Sequence, residues 1–298
     1  GGVSGVILEH LAEVACIWEA TARKVGNVHP TAEFADLSYL DFVQSAAALG
    51  AGFKYPLHSG VGWKVRRAVE LTREHVGKNT NLGIALLLSP LVGSWELMPV
   101  KLPTFRSAVE AALSRLDEVD ATEVYHAIRL ANPGGLGDAP EQDVRDEPTV
   151  TLLEAMKLAA DRDMIARQYA NGFADVFDFG TPAFLDAFAK FGSVEAAIVD
   201  CQLRWLAAFP DSLIARKNGL AVAEDVQKRA AAVLELGGIA TPEGRAAGVA
   251  LDKHLRSDGN KLNPGTTADL IAGCLFVALR EGKIAPSAPF RWPSPDWL

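Results

Sequence analysis

A chain of 298 residues, 49% of them hydrophobic, is long and apolar enough to bury a large core, which excludes a disordered protein. The formal net charge of −8 leaves no general basic field for holding nucleic acid, so clustered cations are read as local ligand sites. The three cysteines, Cys16, Cys201 and Cys274, are odd in number and form no CxxC pair, which argues against a disulfide framework or structural zinc and fits a reducing cytoplasm.

In residues 6–24, Ile7, Leu8, Leu11, Val14, Ala15, Trp18 and Ala22 recur at three- and four-residue intervals and predict a helix with one buried face. The helix stops at Gly26. The loop that follows carries a cation, Lys24, an amide, Asn27, and an imidazole, His29, with Asp36 ahead of a second helix over 37–52. So many polar groups form a ligand-site candidate, although a lysine capping a helix C-terminus and a histidine on a surface loop are each ordinary. A third helix over 60–76 ends in Gly77-Lys-Asn-Thr-Asn-Leu-Gly83, where Asn79, Thr80 and Asn81 suit a turn or N-cap and Gly83 permits close approach. The apolar run 82–95 is too short for a bilayer and is broken by Pro90, so it is expected to be a buried helix. With no basic n-region or cleavage site at the N-terminus, neither export nor membrane association is expected.

Helices over 103–119 and 122–131 precede a long connection, 132–148, whose Gly134-Gly135-Leu136-Gly137 lacks the preceding strand of a dinucleotide fingerprint. Residues 152–177 are expected to form one long helix with Met156, Ile165, Tyr169, Phe173 and Phe177 inside and Asp161, Arg162 and Asp163 on a solvated face. A helix begins at Thr181-Pro182, and another spans 193–209, where Asp200 among apolar neighbours reads as a salt-bridged core acid. The stretch 210–219 is read as a polar loop in which Arg216 and Lys217 suit a polyphosphate clamp, with Asp211 to orient one of them; surface charges at a helix end are the alternative.

Helices over 221–236, 241–254 and 267–282 follow. Before the last stands Asn260-Lys-Leu-Asn-Pro-Gly-Thr-Thr-Ala-Asp269, with Thr266 and Thr267 as N-cap and first turn and Asp269 in the same turn. Free N–H groups at such a terminus attract phosphate, and the carboxylate complements the helix dipole or helps hold a metal; an ordinary capped helix is the plainer alternative. No alternation is long enough for a sheet. The fold is therefore expected to be all-α, a single large multi-helix bundle-like domain over 1–285 with polar ligand loops between helices. A Pro/aromatic tail, 286–298, is expected to pack on the body or a partner, and a homo-oligomer is compatible with it.

Four segments, Glu19-Ala-Thr-Ala-Arg-Lys-Val-Gly-Asn-Val28, Asn79-Thr-Asn-Leu-Gly83, Asp211 through Arg216-Lys217 to Gly219, and Asn263-Pro-Gly-Thr-Thr-Ala-Asp269, together resemble the triphosphoribosyl-dephospho-CoA synthases. Where that family reads Lys-Pro-Gly, Asn-Thr-His-Lys-Gly and Ser-Pro-Gly-Gly-Ser-Ala-Asp, this chain has Lys24-Val25-Gly26, Asn79-Thr-Asn-Leu-Gly83 and Asn263-Pro-Gly-Thr-Thr-Ala-Asp269. It resembles a divergent branch, similar to members from organisms with tetrahydromethanopterin-linked one-carbon metabolism.

The resemblance implies a cytoplasmic, ATP-using transferase that attaches the triphosphoribosyl part of ATP to the 2′-hydroxyl of dephospho-CoA with release of adenine. It implies Mg²⁺ held by Asp36 and Asp269, catalytic roles for Asp36, Asp269 and His29, and small-molecule nucleotides as partners. Nucleotide or phosphate contacts are then expected from Lys24, Asn27, Asn79, Thr80, Asn81, Gly83, Asp211, Arg216, Lys217, Asn263, Gly265, Thr266 and Thr267. A related enzyme of methanopterin- or methanofuran-type cofactor biosynthesis, and a noncatalytic nucleotide-sensing assembly protein, remain as alternatives.

Overall fold

The computed structural model describes residues 5–54, 60–94, 104–131 and 146–298. Trp95 at the end of the apolar run, Pro103 at the start of an expected helix and the Gly134–Gly137 segment lie outside the described residues. The described chain is all-α, with fourteen α-helices and only two isolated β-bridges. No described helix is long and apolar enough to cross a membrane. The chain divides into two compact units, one from Gly1–Cys16 and Asp41–Phe177, the other from Ile17–Leu40 and Asp178–Leu298. Helix α1 (Gly5–Thr21) contributes to both, as does α2 (Tyr39–Lys54).

The first unit is built around α4 (Leu82–Gly93), which is apolar on all sides and buried from Ile84 to Val92. Helices α3 (Val61–His75), α5 (Phe105–Ser114), α6 (Glu118–Ala131) and α8 (Met164–Asn171) pack on it. Pro90 lies inside α4 and has no N–H to offer the carbonyl four residues back, that of Leu86. The Tyr169 hydroxyl of α8 donates to that carbonyl at 2.5 Å, so the proline is tolerated because another helix satisfies the freed oxygen. Full burial pushes the Tyr169 phenol well above its ordinary range.

The single helix expected over 152–177 is instead α7 (Leu152–Ala159), α8 and a π-helical turn, Val176–Gly180. Asp163 is the reason for the break. It is buried rather than solvated, and its Oδ1 accepts from the N–H groups of Ile165 and Ala166 as the N-cap of α8. Thr151 and Glu154 form a reciprocal capping box that starts α7.

In the second unit α10 (Val194–Ala208) is buried over most of its length, and α9 (Thr181–Phe191), α12 (Leu220–Glu235) and α14 (Gly265–Arg280) pack against it. Gly180 precedes α9 at a point where a Cβ would lie 2.4 Å from Cys274 Sγ and 2.5 Å from the Trp205 ring, so only glycine fits. Asp200 is buried and pairs with Arg204 at 2.9 Å, as a salt-bridged core acid should. The terminal segment lies on this unit: Val194 and Glu195 donate backbone N–H groups to the Pro289 and Phe290 carbonyls, and Trp297 is buried with its Nε1 donating to Arg23 O at 2.8 Å. Helices α11 (Ser212–Asn218) and α13 (Pro242–Leu255) complete it.

Candidate active site

After α1 the chain turns sharply through Lys24, Val25, Gly26 and Asn27, with the Asn27 N–H directed at the Lys24 carbonyl at 3.4 Å. Gly26 has φ +73°, and a Cβ there would meet Leu255 at 2.8 Å and Pro264 at 3.0 Å, so both backbone angle and space require glycine. A proline in place of Val25 would lack an N–H. The Val25 N–H donates to Gln202 Oε1 at 2.9 Å, while Gln202 Nε2 donates to Val25 O at 2.8 Å and Asn27 Oδ1 at 3.0 Å. The departure from Lys-Pro-Gly thus has a physical counterpart in a buried glutamine of α10 that takes up the extra donor. Asp252 of α13 fixes the same turn by accepting from Gly26 N–H at 2.8 Å.

Lys24 is fully buried, and its Nζ donates to Glu19 O at 2.7 Å and pairs with Glu19 Oε1 at 2.9 Å. It therefore both caps the end of α1 and closes an internal ion pair. Asn27 joins the first motif to the last, its Nδ2 donating to Asn263 Oδ1 at 2.6 Å. Arg256 donates to Asn27 O at 2.6 Å through Nη2 and to Asp252 Oδ1 at 2.8 Å through Nε.

Asp211 differs most from its expected setting. The stretch 210–219 is the short helix α11 rather than a loop, and Asp211 is its N-cap, with Oδ1 accepting from Ile214 N–H at 3.0 Å. Its other oxygen accepts from Thr267 N–H at 2.8 Å and Thr267 Oγ1 at 2.7 Å. One carboxylate, 3% exposed, therefore holds the N-termini of α11 and α14 together, and it takes the Thr267 donors expected for phosphate. Burial pushes the Asp211 carboxyl up, and the donors around it oppose that shift.

The start of α14 also differs from expectation. Pro264, not Thr266 or Thr267, occupies the N-cap position, both threonines are buried within the first turn, and Asp269 lies beyond that turn, half-buried. Gly265 N–H is directed at Asn263 O at 2.9 Å.

Arg216 and Lys217 are exposed in the last turn of α11. Partial burial and the neighbouring Arg216 push the Lys217 ammonium down, against the opposing charges of Asp36 and Asp211. Asp36 is exposed and accepts from Asn260 Nδ2 at 3.2 Å. The second unit therefore holds three of the four motif segments in one hydrogen-bonded frame, with Asp36, Arg216 and Lys217 at its surface.

The remaining segment belongs to the first unit. Asn81 stands at the N-cap of α4, but its Nδ2 donates to Ser45 O at 3.2 Å and Thr72 Oγ1 at 2.8 Å, so the buried amide locks α2 and α3 to α4. Thr80 pairs with the Ser45 hydroxyl. Asn79 is exposed and, with Arg73, Lys78 and Asn81, lines a pocket of about 130 Å³; Gly83 is half-buried in the first turn of α4.

His29 is 1% exposed, and burial, then the charges of Arg256, Lys24 and Arg23, push its imidazole down from 6.5 to about 3. The ring is therefore neutral at pH 7 and stores no proton for a leaving base. In the unfolded chain it protonates below about pH 6.5, whereas the folded protein resists protonation down to about pH 3, so stability is retained above that window and falls as pH falls through it. The expected slope is about 1.4 kcal/mol per pH unit. Denaturation of the wild-type protein and His29→Gln between pH 7 and 5 should show this component in the wild type alone; parallel pH profiles would sink the assignment.

Gln202, Asp252 and Arg256 were not among the residues expected to build the site. For Gln202 the signal was present, an amide in a run of buried apolar residues, which requires partners. In the sequence Asp252 and Arg256 are four positions apart and look like an ordinary i,i+4 ion pair. Among the described residues no cluster of three or more His, Cys, Asp or Glu side chains could hold a metal ion. Mg²⁺ commonly binds through one or two carboxylates together with substrate phosphates, and the exposed Asp36 fits that pattern.

A family model described as ATP:dephospho-CoA triphosphoribosyl transferase matches residues 7–287. A Pseudomonas savastanoi pv. phaseolicola protein named as a 2-(5''-triphosphoribosyl)-3'-dephosphocoenzyme-A synthase is 33% identical, over 69% of this chain and 82% of that protein. A Pseudomonas putida protein of the same name is 36% identical over 38% of this chain, a match that spans 40% of the relative's length. The crystal structure of an Archaeoglobus fulgidus protein described as a triphosphoribosyl-dephospho-CoA synthase matches with a TM-score of 0.64 at 30% identity, over 82% of this chain and 99% of that one. With its model running through all four motif segments, the chain belongs to the ATP:dephospho-CoA triphosphoribosyl transferase family.

Proposed function

We propose that this protein transfers the triphosphoribosyl group of ATP to the 2′-hydroxyl of dephospho-CoA and releases adenine. The observation that carries the reading is the frame in which Asn27 bonds Asn263 while Asp211 bonds Thr267, because it unites three motif segments of a family that the chain matches over residues 7–287. The hydroxyl oxygen forms a bond to the anomeric carbon as the bond from that carbon to adenine breaks. The hydroxyl proton goes to a carboxylate, and the departing base takes up a proton.

Arg216 and Lys217, exposed and adjacent, neutralise the triphosphate. Asp36 and Asp269 are the carboxylates of the reaction, one accepting the hydroxyl proton and the other facing the positive charge that grows at the anomeric carbon. Magnesium arrives with ATP as part of the substrate, with Asp36 as its exposed protein ligand. His29, neutral, serves as a hydrogen-bond donor rather than an acid. The three cysteines are buried free thiols, which suits a reducing cytoplasm.

The test is incubation with ATP, Mg²⁺ and dephospho-CoA, with free adenine and the coupled product read by mass spectrometry. Adenine release that depends on dephospho-CoA is expected, and Asp269→Ala should lower it about 10²- to 10⁴-fold with helical circular dichroism unchanged. Nucleotide binding without adenine release overturns the reading.

A further inference from the structure

Among the described residues, four buried side-chain donors in the second unit have no hydrogen-bond partner, His29 Nε2, Thr181 Oγ1, Trp205 Nε1 and Arg256 Nη1. Thr181 and Trp205 lie against the Cys274 thiol, which leaves His29 and Arg256. The proton on His29 can be placed from its surroundings: the Thr31 backbone N–H points at Nδ1 from 3.3 Å, and a backbone N–H can only donate, so Nδ1 is the acceptor and Nε2 carries the hydrogen. The Thr31 hydroxyl lies 3.2 Å from the same nitrogen. The Arg256 guanidinium is fixed on three sides, by Asp252 at Nε, by Asn27 O at Nη2 and by the Phe34 ring 5.7 Å from its carbon. Only Nη1 is left over. A buried donor without an acceptor costs about 1–3 kcal/mol, and two such donors on groups held this firmly call for an occupant.

That occupant must accept hydrogen bonds and donate none toward these groups. Arg256 is the strongest charge acting on His29, ahead of Lys24 and Arg23. These cations are paired with Asp252, Glu19 and Glu195, and their proximity to the ring favours an anionic oxygen over a neutral one. We propose that His29 Nε2 and Arg256 Nη1 form a two-donor site for one phosphate oxygen of the nucleotide. Phe34, whose ring covers the Arg256 guanidinium, is half-buried in a stretch, 30–36, most of which is exposed. The site rests on the nucleotide-using function proposed above and adds Arg256 as a substrate-contacting residue.

The experiment uses the full chain labelled with ¹⁵N at the histidine rings, with His29→Gln identifying the His29 signal. The free protein should show a neutral ring protonated at Nε2. Inorganic tripolyphosphate, and ATP, should move the Nε2 resonance, adenosine should not, and Arg256→Lys should weaken tripolyphosphate binding by about tenfold to a hundredfold, as loss of one charged hydrogen bond implies. A His29 signal unmoved by tripolyphosphate means that an internal water fills the site, and a signal moved by adenosine alone means that the base lies there; either result overturns the proposal. Because the ligand-induced shifts are read on the wild-type spectrum, failure of Arg256→Lys to fold leaves the test decisive. Adenine release with an unmoved His29 would sink the site and keep the reaction, whereas a moved His29 without adenine release would do the reverse.

Discussion

Replacing Asp211 with alanine is expected to lower the free energy of unfolding by about 3–5 kcal/mol, as cap loss and the loss of charged hydrogen bonds to buried donors combine. The change removes the acceptor of Ile214 N–H, Thr267 N–H and Thr267 Oγ1 together, and so frees two helix N-termini with one substitution. Denaturant titration measures it as a shift in midpoint with the slope preserved. Asparagine separates charge from geometry: its single carbonyl oxygen can serve α11 or α14 but not both, and its amide then faces a donor at the other helix. Asp211→Asn should therefore recover only part of the loss, while Thr267→Val, which removes the hydroxyl bond alone, should cost about 1 kcal/mol. If Asp211→Ala lost less than that, the carboxylate would not be the joint between the helices, and a role at the ligand would return to consideration.

The second large effect is expected at Lys24. Its ammonium is wholly buried and faces Glu19, itself nearly buried. Lys24→Met should cost about 3–5 kcal/mol, because it strands the Glu19 carboxylate in the interior without a counter-charge. Lys24→Met combined with Glu19→Gln should regain most of that loss, since a buried ion pair replaced on both sides is often close to neutral in stability. Thermal or denaturant unfolding of the two single variants and the double variant completes the cycle. A lysine whose main role is to touch phosphate gives the opposite pattern, with little change in stability, a weakened affinity for ATP and no rescue by the second substitution.

Much of the fold was legible because helix periodicity and turn chemistry are local. The face of α1, the all-apolar α4 and the start of α9 at Thr181-Pro182 follow from residues within a few positions of one another. The break between α7 and α8 was also local, since Asp163 is an N-cap residue type, but its neighbours Asp161 and Arg162 made it resemble one charge among several on a wet face. The same ambiguity hid the cap at Asp211: in a stretch containing Pro210, Arg216 and Lys217, a polar residue can be read as loop, clamp or cap, and burial decides among them.

By itself the sequence determined that the chain is helical, which segments are polar punctuation between helices, and, through four spaced motifs, which family it resembles. Only tertiary structure decided what the polar groups face. Lys24 meets Glu19, Thr267 meets Asp211, and Gln202 meets the backbone of Val25, three pairings of which two join residues far apart in the chain. The physical reason is that a side chain's conformation follows local rules, whereas its hydrogen-bond partner and its burial are fixed by which helices pack together. A charged residue therefore reads the same in sequence whether it ends beside a carboxylate in the core, as Lys24 does, or exposed in the last turn of a helix, as Lys217 does.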